Sequence, residues 1–305
     1  MVRFAARRVL HLIVVLFGVM TLLFLLLRVS GDPAASVAGP DATPEAVEAV
    51  RQQLGLDRPL WEQYLDFLGN LITFDFGDSF QTRGDALDMV SEQLPATLEL
   101  IVISFAVAAV VGVPLGAAAA MTRNRIVNWF ADVVVMIGQA VPVFWFAILL
   151  VYLFAVQAQA LPSIHNGEPE SWVLPVIALA SHPLARFVQF TRSGLAESMA
   201  EDFTRTAVAK GLSPTRVVTR HALRPVTTAL VTVGGVDLAT MLGGSVLIET
   251  IFAWPGIGHL LVTSVAARDY PVVEALTFIF AVLVVIISLL VDLAYEWIDP
   301  RVRVH

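Results

Sequence analysis

The sequence predicts an all-α integral membrane protein with six transmembrane helices and a small external helical loop domain. Three observations carry that expectation. Apolar residues make up 57% of the chain and charged ones 15%, against about 45–50% and about 25% in ordinary soluble domains. The excess is gathered into long blocks and not spread at helical or strand period. Basic residues cluster in alternate gaps between those blocks.

The blocks are Val9–Leu27, Leu100–Met121, Val133–Val156, a weaker one opened by Trp172–Ala185, Val226–Ile248 and Leu276–Val291. About 20 apolar residues cross a bilayer as a helix, and a soluble core helix rarely runs so far without a charged face. The fourth span is the least apolar of the six. The N-terminal run also admits a cleavable signal peptide, with Ser36-Val37-Ala38 as its small-residue site. Its apolar stretch exceeds the usual h-region of about 7–15 residues, which favours a retained first span.

Orientation follows from the arginines. Arg3, Arg7 and Arg8 precede span one, Arg123 and Arg125 follow span two, and seven basic residues from Arg186 to Arg224 follow span four. With Arg301 and Arg303, fourteen of nineteen basic residues fall on one side, which the positive-inside rule makes cytoplasmic, with both termini. The net charge of −7 misleads, because Ser30–Pro95 carries twelve acidic and three basic residues. The acidity belongs to an external loop and carries no implication for nucleic acid.

The organisation is then a tail and span over 1–29, an external helical loop over 30–95 and a five-span core over 96–305. In the loop, Thr43 caps a helix with Pro44 at its first position, and Gly55 closes it. Asp57 and Pro59 open a second helix, with Leu60, Tyr64, Phe67, Leu68 and Leu71 on one face. The result is a helical cap on the outer surface, or an interfacial helix with no further role.

Within the core, Pro114, Pro142, Pro175 and Pro183 sit in or beside spans, where a freed carbonyl needs a neighbour or a water-filled path. Glu99, Asp132, His182, Asp237, Glu274 and Asp292 are the ionisable residues in or near spans, and such groups default to functional hypotheses. Most lie near span ends, where interfacial or inter-helix bonding explains them. Asp237 lies deep in span five, ahead of Met241 and Ser245, and either lines a cavity or joins helices. There is no cysteine, so disulfides and thiolate metal sites are excluded.

The segment Glu201–Pro225, "EDFTRTAVAKGLSPTRVVTRHALRP", is polar in apolar company and holds five of the nineteen basic residues. It reads as a helix Phe203–Lys210, a left-handed corner at Gly211, and a second helix capped by Ser213 with Pro214 in its first turn. Arg216, Arg220 and Arg224 recur at i, i+4 and i+8 as one basic stripe suited to lipid headgroups. The spacing also fits a DNA-binding helix-turn-helix, but the block runs straight into span five and leaves no residues for a third helix. Ser245 and His259 suggest an intramembrane hydrolase, yet no G-x-S-x-G elbow or H-E-x-x-H is present. No G-x-x-x-x-G-K-[ST] exists to hold ATP phosphates. An ion-coupled carrier dependent on Asp237 is the remaining rival, and neither rival explains the glycine-cornered block.

A short cytoplasmic helix followed by glycine between two spans resembles the EAA loop of ABC importer permeases. "RVSGDPA", "LGLDRPLWEQY", "FDFGDSF", "EDFTRTAVAKGL", "RHAL", "MLGGSVLIETIFAWPGIGHLL", "RDYPVV" and "DLAYEWIDPRVR" extend the likeness from Arg28 to Arg303. Together they resemble the dipeptide/oligopeptide permease family, in its first permease type with a long outer loop. Arg205 stands where the general loop motif has glutamate, Ser30 where proline is common, and Arg224-Pro225 where Arg-Asn is common.

The resemblance implies a type I, MetI-like importer permease in the bacterial inner membrane, with no catalytic activity of its own. Its implied partners are a second homologous permease, two ATPases holding ATP and Mg, and an extracytoplasmic binding protein. It implies that Glu201, Asp202, Phe203, Thr204, Arg205, Thr206, Ala207, Lys210 and Gly211, within a loop at 197–225, meet the ATPase. Asp237, Met241 and Ser245 become candidates for the path. Asp75, Phe76, Trp254 and Pro255 become candidates for an outer gate or binding-protein contact. Dipeptides or oligopeptides are the expected cargo, with glutathione, nickel chelates, opines and oligosaccharides as alternatives; the outer loop looks closest to dipeptide and glutathione members.

Overall fold

The computed structural model describes residues 2–29, 33–39 and 41–298, without the side chains of 2–12, 36, 214, 292, 293 and 295–298. Ser30, Gly31-Asp32 and the closing stretch 299–305 with Arg301 and Arg303 therefore lie outside the described residues. So do the side chains of Arg3, Arg7, Arg8, His11, Pro214 and Asp292. Among the described residues there is no strand, only an isolated bridge between Asp78 and Asp85.

The elements are α1 (Val2–Val29), α2 (Pro33–Ala38), α3 (Pro44–Gln53), α4 (Leu60–Thr73), α5 (Ala86–Met121), α6 (Arg125–Ala140) and α7 (Val143–Leu150). A wide π turn continues α7 to Gln157. Then follow α8 (Val173–Ala200), α9 (Asp202–Ala209), α10 (Pro214–Val217), α11 (Leu223–Ile251), α12 (Ile257–Ala267) and α13 (Tyr270–Ile298). Among the described residues four stretches, 86–121, 169–200, 215–251 and 270–291, are long and apolar enough to cross a membrane. The pair α6 and α7 makes a fifth if it counts as one span, and 13–29 of α1 is a shorter apolar helix.

One expectation changes. The block Val133–Val156 is not one helix, because α6 and α7 meet at 116°. Pro142 lacks an N–H and forces Val141 out of helical geometry, to φ −97° and ψ 124°. The weaker block does open a long apolar helix as expected, one that starts at Val173, just after Trp172, and runs 28 residues to Ala200. Pro183 is buried inside it without ending it.

The described residues of 1–96 and 255–285 form one compact unit, and those of 97–254 and 286–305 form a second. In the first, Met20, Phe24, Phe67, Phe76, Val90 and Leu276 form a buried core. Thr43 caps α3 as expected, its hydroxyl accepting from Ala46 N at 3.3 Å, and Gly55 takes φ +65°. Along α4, Phe67 is buried while Leu60 is exposed. Gln63 is buried too, donating to the carbonyls of Leu56 and Arg58 and accepting from Arg28 Nε at 2.9 Å. Asp269 ties the outer loop down, accepting from Ser79 Oγ at 2.5 Å and Phe80 N at 2.9 Å.

In the second unit α8 is the hub, packed by α6, α7 and α11. Small residues set the approach. A Cβ on Gly116 of α5 would lie 2.5 Å from the Val188 carbonyl oxygen, and one on Gly138 of α6 would run into the Ser181 carbonyl. In lipid, such close backbone approach supplies the dispersion contact that drives helix association.

Candidate coupling and translocation site

At one end of the antiparallel pair α8 and α11 stands the polar block. Glu201 is extended, with φ −73° and ψ 153°, so it ends α8 and opens α9 within one residue. Thr204 and Ala207 are the buried face of α9. Thr204 Oγ1 donates to the Ser198 carbonyl at 2.8 Å, tying α9 to the last turn of α8. Thr206 Oγ1 donates to the Asp202 carbonyl at 2.8 Å. Asp202, Arg205 and Lys210 are exposed, and Phe203 is 45% exposed. Asp202 and Arg205 form a solvent pair at 3.6 Å, of little energetic weight. Exposed apolar Phe203 and Val208 on a polar helix make a surface with something to bury.

Gly211 takes φ +80°, and its N–H closes the helix on the Val208 carbonyl at 2.9 Å. A Cβ there would meet nothing within 4 Å. The left-handed backbone expected at this corner, and no steric contact, therefore selects glycine. The second helix differs from expectation. It is a short turn, α10, that runs through a π turn at Val218–Ala222 into α11. Leu223 N–H reaches the Val218 carbonyl, and this wide turn carries the chain past Pro225, which has no N–H to give. Arg216, Arg220 and Arg224 are exposed, while Val217, Val218 and Ala222 are buried against the bundle.

Midway along the pair, Arg186 Nη1 of α8 donates to Asp237 Oδ1 of α11 at 2.6 Å. Asp237 is wholly buried, and its Oδ2 accepts no hydrogen bond. Ser245 is buried too and donates to the Leu242 carbonyl of its own helix at 3.0 Å. Met241 lines an open space of about 410 Å³ beside the break between α6 and α7, and the other two path candidates, Asp237 and Ser245, do not line it.

What the sequence reasoning missed is a stripe. His182, Arg186, Gln189, Ser193 and Glu197 lie at i, i+4, i+7, i+11 and i+15 on α8, each exposed or half-exposed. At 1.5 Å per residue the stripe runs about 22 Å. Helix α6 meets it with Asp132, 2.5 Å from Arg192 Nη1 just beside the stripe, and with Gln139, which donates to Gln189. The signal is present as a helical period of polar residues, but it begins inside the weakly apolar block Trp172–Ala185 and runs on beyond it.

At the other end of the pair, Trp254 is buried between His165 and Trp172, with ring centroids at 4.3 and 4.4 Å. His165 N–H donates to the Phe252 carbonyl at 2.7 Å, and its Nδ1 shares a hydrogen with Ser171 Oγ at 2.9 Å. Burial pushes the His165 imidazole below its ordinary value. Pro255 is exposed. In the first unit, Asp75 is exposed and accepts from Gly77 N at 3.1 Å, while buried Phe76 packs on Phe278 with centroids at 5.5 Å.

Residues 112–304 match the family described as the binding-protein-dependent transport system inner membrane component, and residues 1–101 match its N-terminal component. The chain belongs to that family. This permease is 38% identical, over 99% of both chains, to the glutathione transport system permease protein GsiC of Escherichia coli K12. It is 37% identical, over the same share, to GsiC of Shigella flexneri serotype 5b. Its fold is similar to that of a chain in the inward-facing MetNI methionine ABC transporter, at TM-score 0.57 and 18% identity. That match covers 69% of this chain and 96% of the other. An amino acid ABC transporter solved with histidines matches at TM-score 0.54 and 18% identity, covering 68% and 94%. The permease thus has the type I, MetI-like importer fold and is a non-catalytic inner-membrane component of an ABC importer. Such a component works with ATPase and binding-protein partners.

Proposed function

We propose that the permease forms half of an import path for dipeptides or glutathione, the second half coming from a homologous six-span permease. The full-length likeness to GsiC supports the cargo. The partners are two ATPases, which hold the ATP and Mg that this chain does not, and an extracytoplasmic solute-binding protein. Both termini and the Glu201–Pro225 block face the cytoplasm, in keeping with the fourteen basic residues on that side.

The observation that carries the coupling role is α9, an exposed helix with Phe203 and Val208 outward and Thr204 anchored to α8. Glu201, Asp202, Phe203, Arg205 and Lys210 present the contact surface; Thr204, Thr206, Ala207 and Gly211 shape it. When ATP closes the ATPases, α9 is pulled, α8 moves with it through the single-residue joint at Glu201, and the two halves rock outward. The polar stripe on α8 faces the water-filled path, because lipid offers those side chains no partner. Trp254 of the second unit and, separately, Pro255, Asp75 and Phe76 of the first are the candidates for an outer gate or a binding-protein contact.

A mild-detergent pull-down of the tagged chain from its native cells, read by mass spectrometry, tests this. Two ATPases and a second permease are expected. Recovery of the chain alone or only with itself contradicts the reading.

A further inference from the structure

The cavity beside the broken helix has a chemistry that the importer fold alone does not assign. It lies where α7 turns away from α6, and α8 and α11 close its other sides. Its volume of about 410 Å³ falls within the roughly 300–1,000 Å³ of small-molecule sites. We propose that this cavity is the carboxylate-binding subsite of the path and that Arg186 holds the anionic end of the solute. The proposal rests on the import function above and names the class of solute it passes.

Arg186 lines the cavity, whereas Asp237, its acidic partner, is wholly buried behind it and does not. One guanidinium nitrogen is committed to Asp237. The side chain is a quarter exposed, at 25%, and carries five donors in a planar fork that matches a carboxylate. His182 supplies the complementary group. Its Nδ1 donates to the Gly138 carbonyl at 3.0 Å, since a carbonyl only accepts. In the neutral ring Nε2 is then an acceptor, suited to an amide N–H. Thr240 Oγ1 donates to the Asp237 carbonyl at 2.9 Å and keeps lone pairs for a second N–H. Leu179 and Met241 offer apolar wall to a side chain.

A guanidinium, an imidazole acceptor and a hydroxyl within one small cavity fit a carboxylate followed by an amide, the end of a short peptide. A cationic solute meets no acidic side chain in this lining. Asp237 also weakens the field of Arg186, so a carboxylate is held briefly and released, as transport requires.

The test uses native cells deleted for this chain and complemented with wild type or variants. Uptake of a labelled dipeptide with a free C-terminal carboxylate is compared with uptake of its C-terminal amide. The binding protein is the same in every strain, so a change in the acid-to-amide ratio reports the permease. Arg186→Gln is expected to lower that ratio about tenfold, the loss typical of one charge-assisted pair. Arg186→Gln with Asp237→Asn, which leaves no unpaired buried charge, gives the same loss at wild-type membrane abundance. Asp237→Asn alone keeps the preference for the acid. An unchanged ratio in the double variant, whether uptake of the two probes is kept or falls equally, overturns the subsite and leaves the importer standing. Uptake that persists after deletion of the chain overturns the importer assignment for these solutes, and the subsite with it.

Discussion

Arg186 and Asp237 join the midpoints of α8 and α11 through a 2.6 Å ion pair whose acidic partner is wholly buried. Removing one partner of such a pair strands the other, at a cost of about 3–5 kcal/mol, whereas replacing both by apolar groups is often near neutral. Arg186→Met is therefore expected to lower the thermal unfolding midpoint of the purified protein sharply. Adding Asp237→Leu recovers most of it. Additive losses in the double variant count against a stabilising pair across these helices.

Gly211 offers a cleaner separation of conformation from contact. Its φ of +80° costs an ordinary L-residue about 1–2 kcal/mol, but no atom waits where a Cβ would go. Gly211→Asn, which tolerates the left-handed region, is expected to keep uptake near wild type. Gly211→Val reduces uptake several-fold while the chain still assembles with its partners. Equal uptake by the two variants, measured at matched abundance, removes the corner from the mechanism.

The close approach of α6 to α8 rests on Gly138, against the Ser181 carbonyl and Ala185. Overpacking such a contact costs about 1–3 kcal/mol or more. Gly138→Leu should lower the unfolding midpoint. Gly18→Leu, with nothing within 4 Å of its position, should leave it unchanged. The comparison is made by thermal scanning in one detergent.

The outer aromatic cluster gives a pH dependence. Burial depresses the His165 imidazole below its ordinary value of 6.5, so the unfolded chain binds a proton more readily than the folded one. Its contribution is present in full above pH 6.5 and is lost as the pH falls towards the lower folded value. The unfolding midpoint of wild type should fall between pH 7 and pH 5 by more than that of His165→Phe. Parallel pH profiles remove His165 from the account.

Much of this was legible in the chain. Thr43 and Gly55 punctuate α3 because caps and left-handed glycines are local chemistry. The apolar blocks marked the long helices because lipid demands continuous apolar length. The break at Val141-Pro142 was half legible: proline was visible, but whether it ends a helix, as there, or is absorbed, as at Pro183, depends on the packing around it. The stripe from His182 to Glu197 escaped because it lies where α8 ceases to look like a membrane helix. The partner of Asp237 escaped because nothing in the spacing of residues 186 and 237 says that α8 and α11 are neighbours.

The absence of cysteine makes the central claim, that α9 is the contact with the ATPase, open to direct measurement. Phe203→Cys would carry the chain's single thiol, to be labelled in native membranes with a benzophenone maleimide and irradiated with and without ATP. The account predicts one dominant adduct with the mass of this chain plus an ATPase subunit, its yield changing with nucleotide. Adducts to lipid alone, or the same adduct from a control thiol at exposed Ile72 in the outer loop, would contradict it.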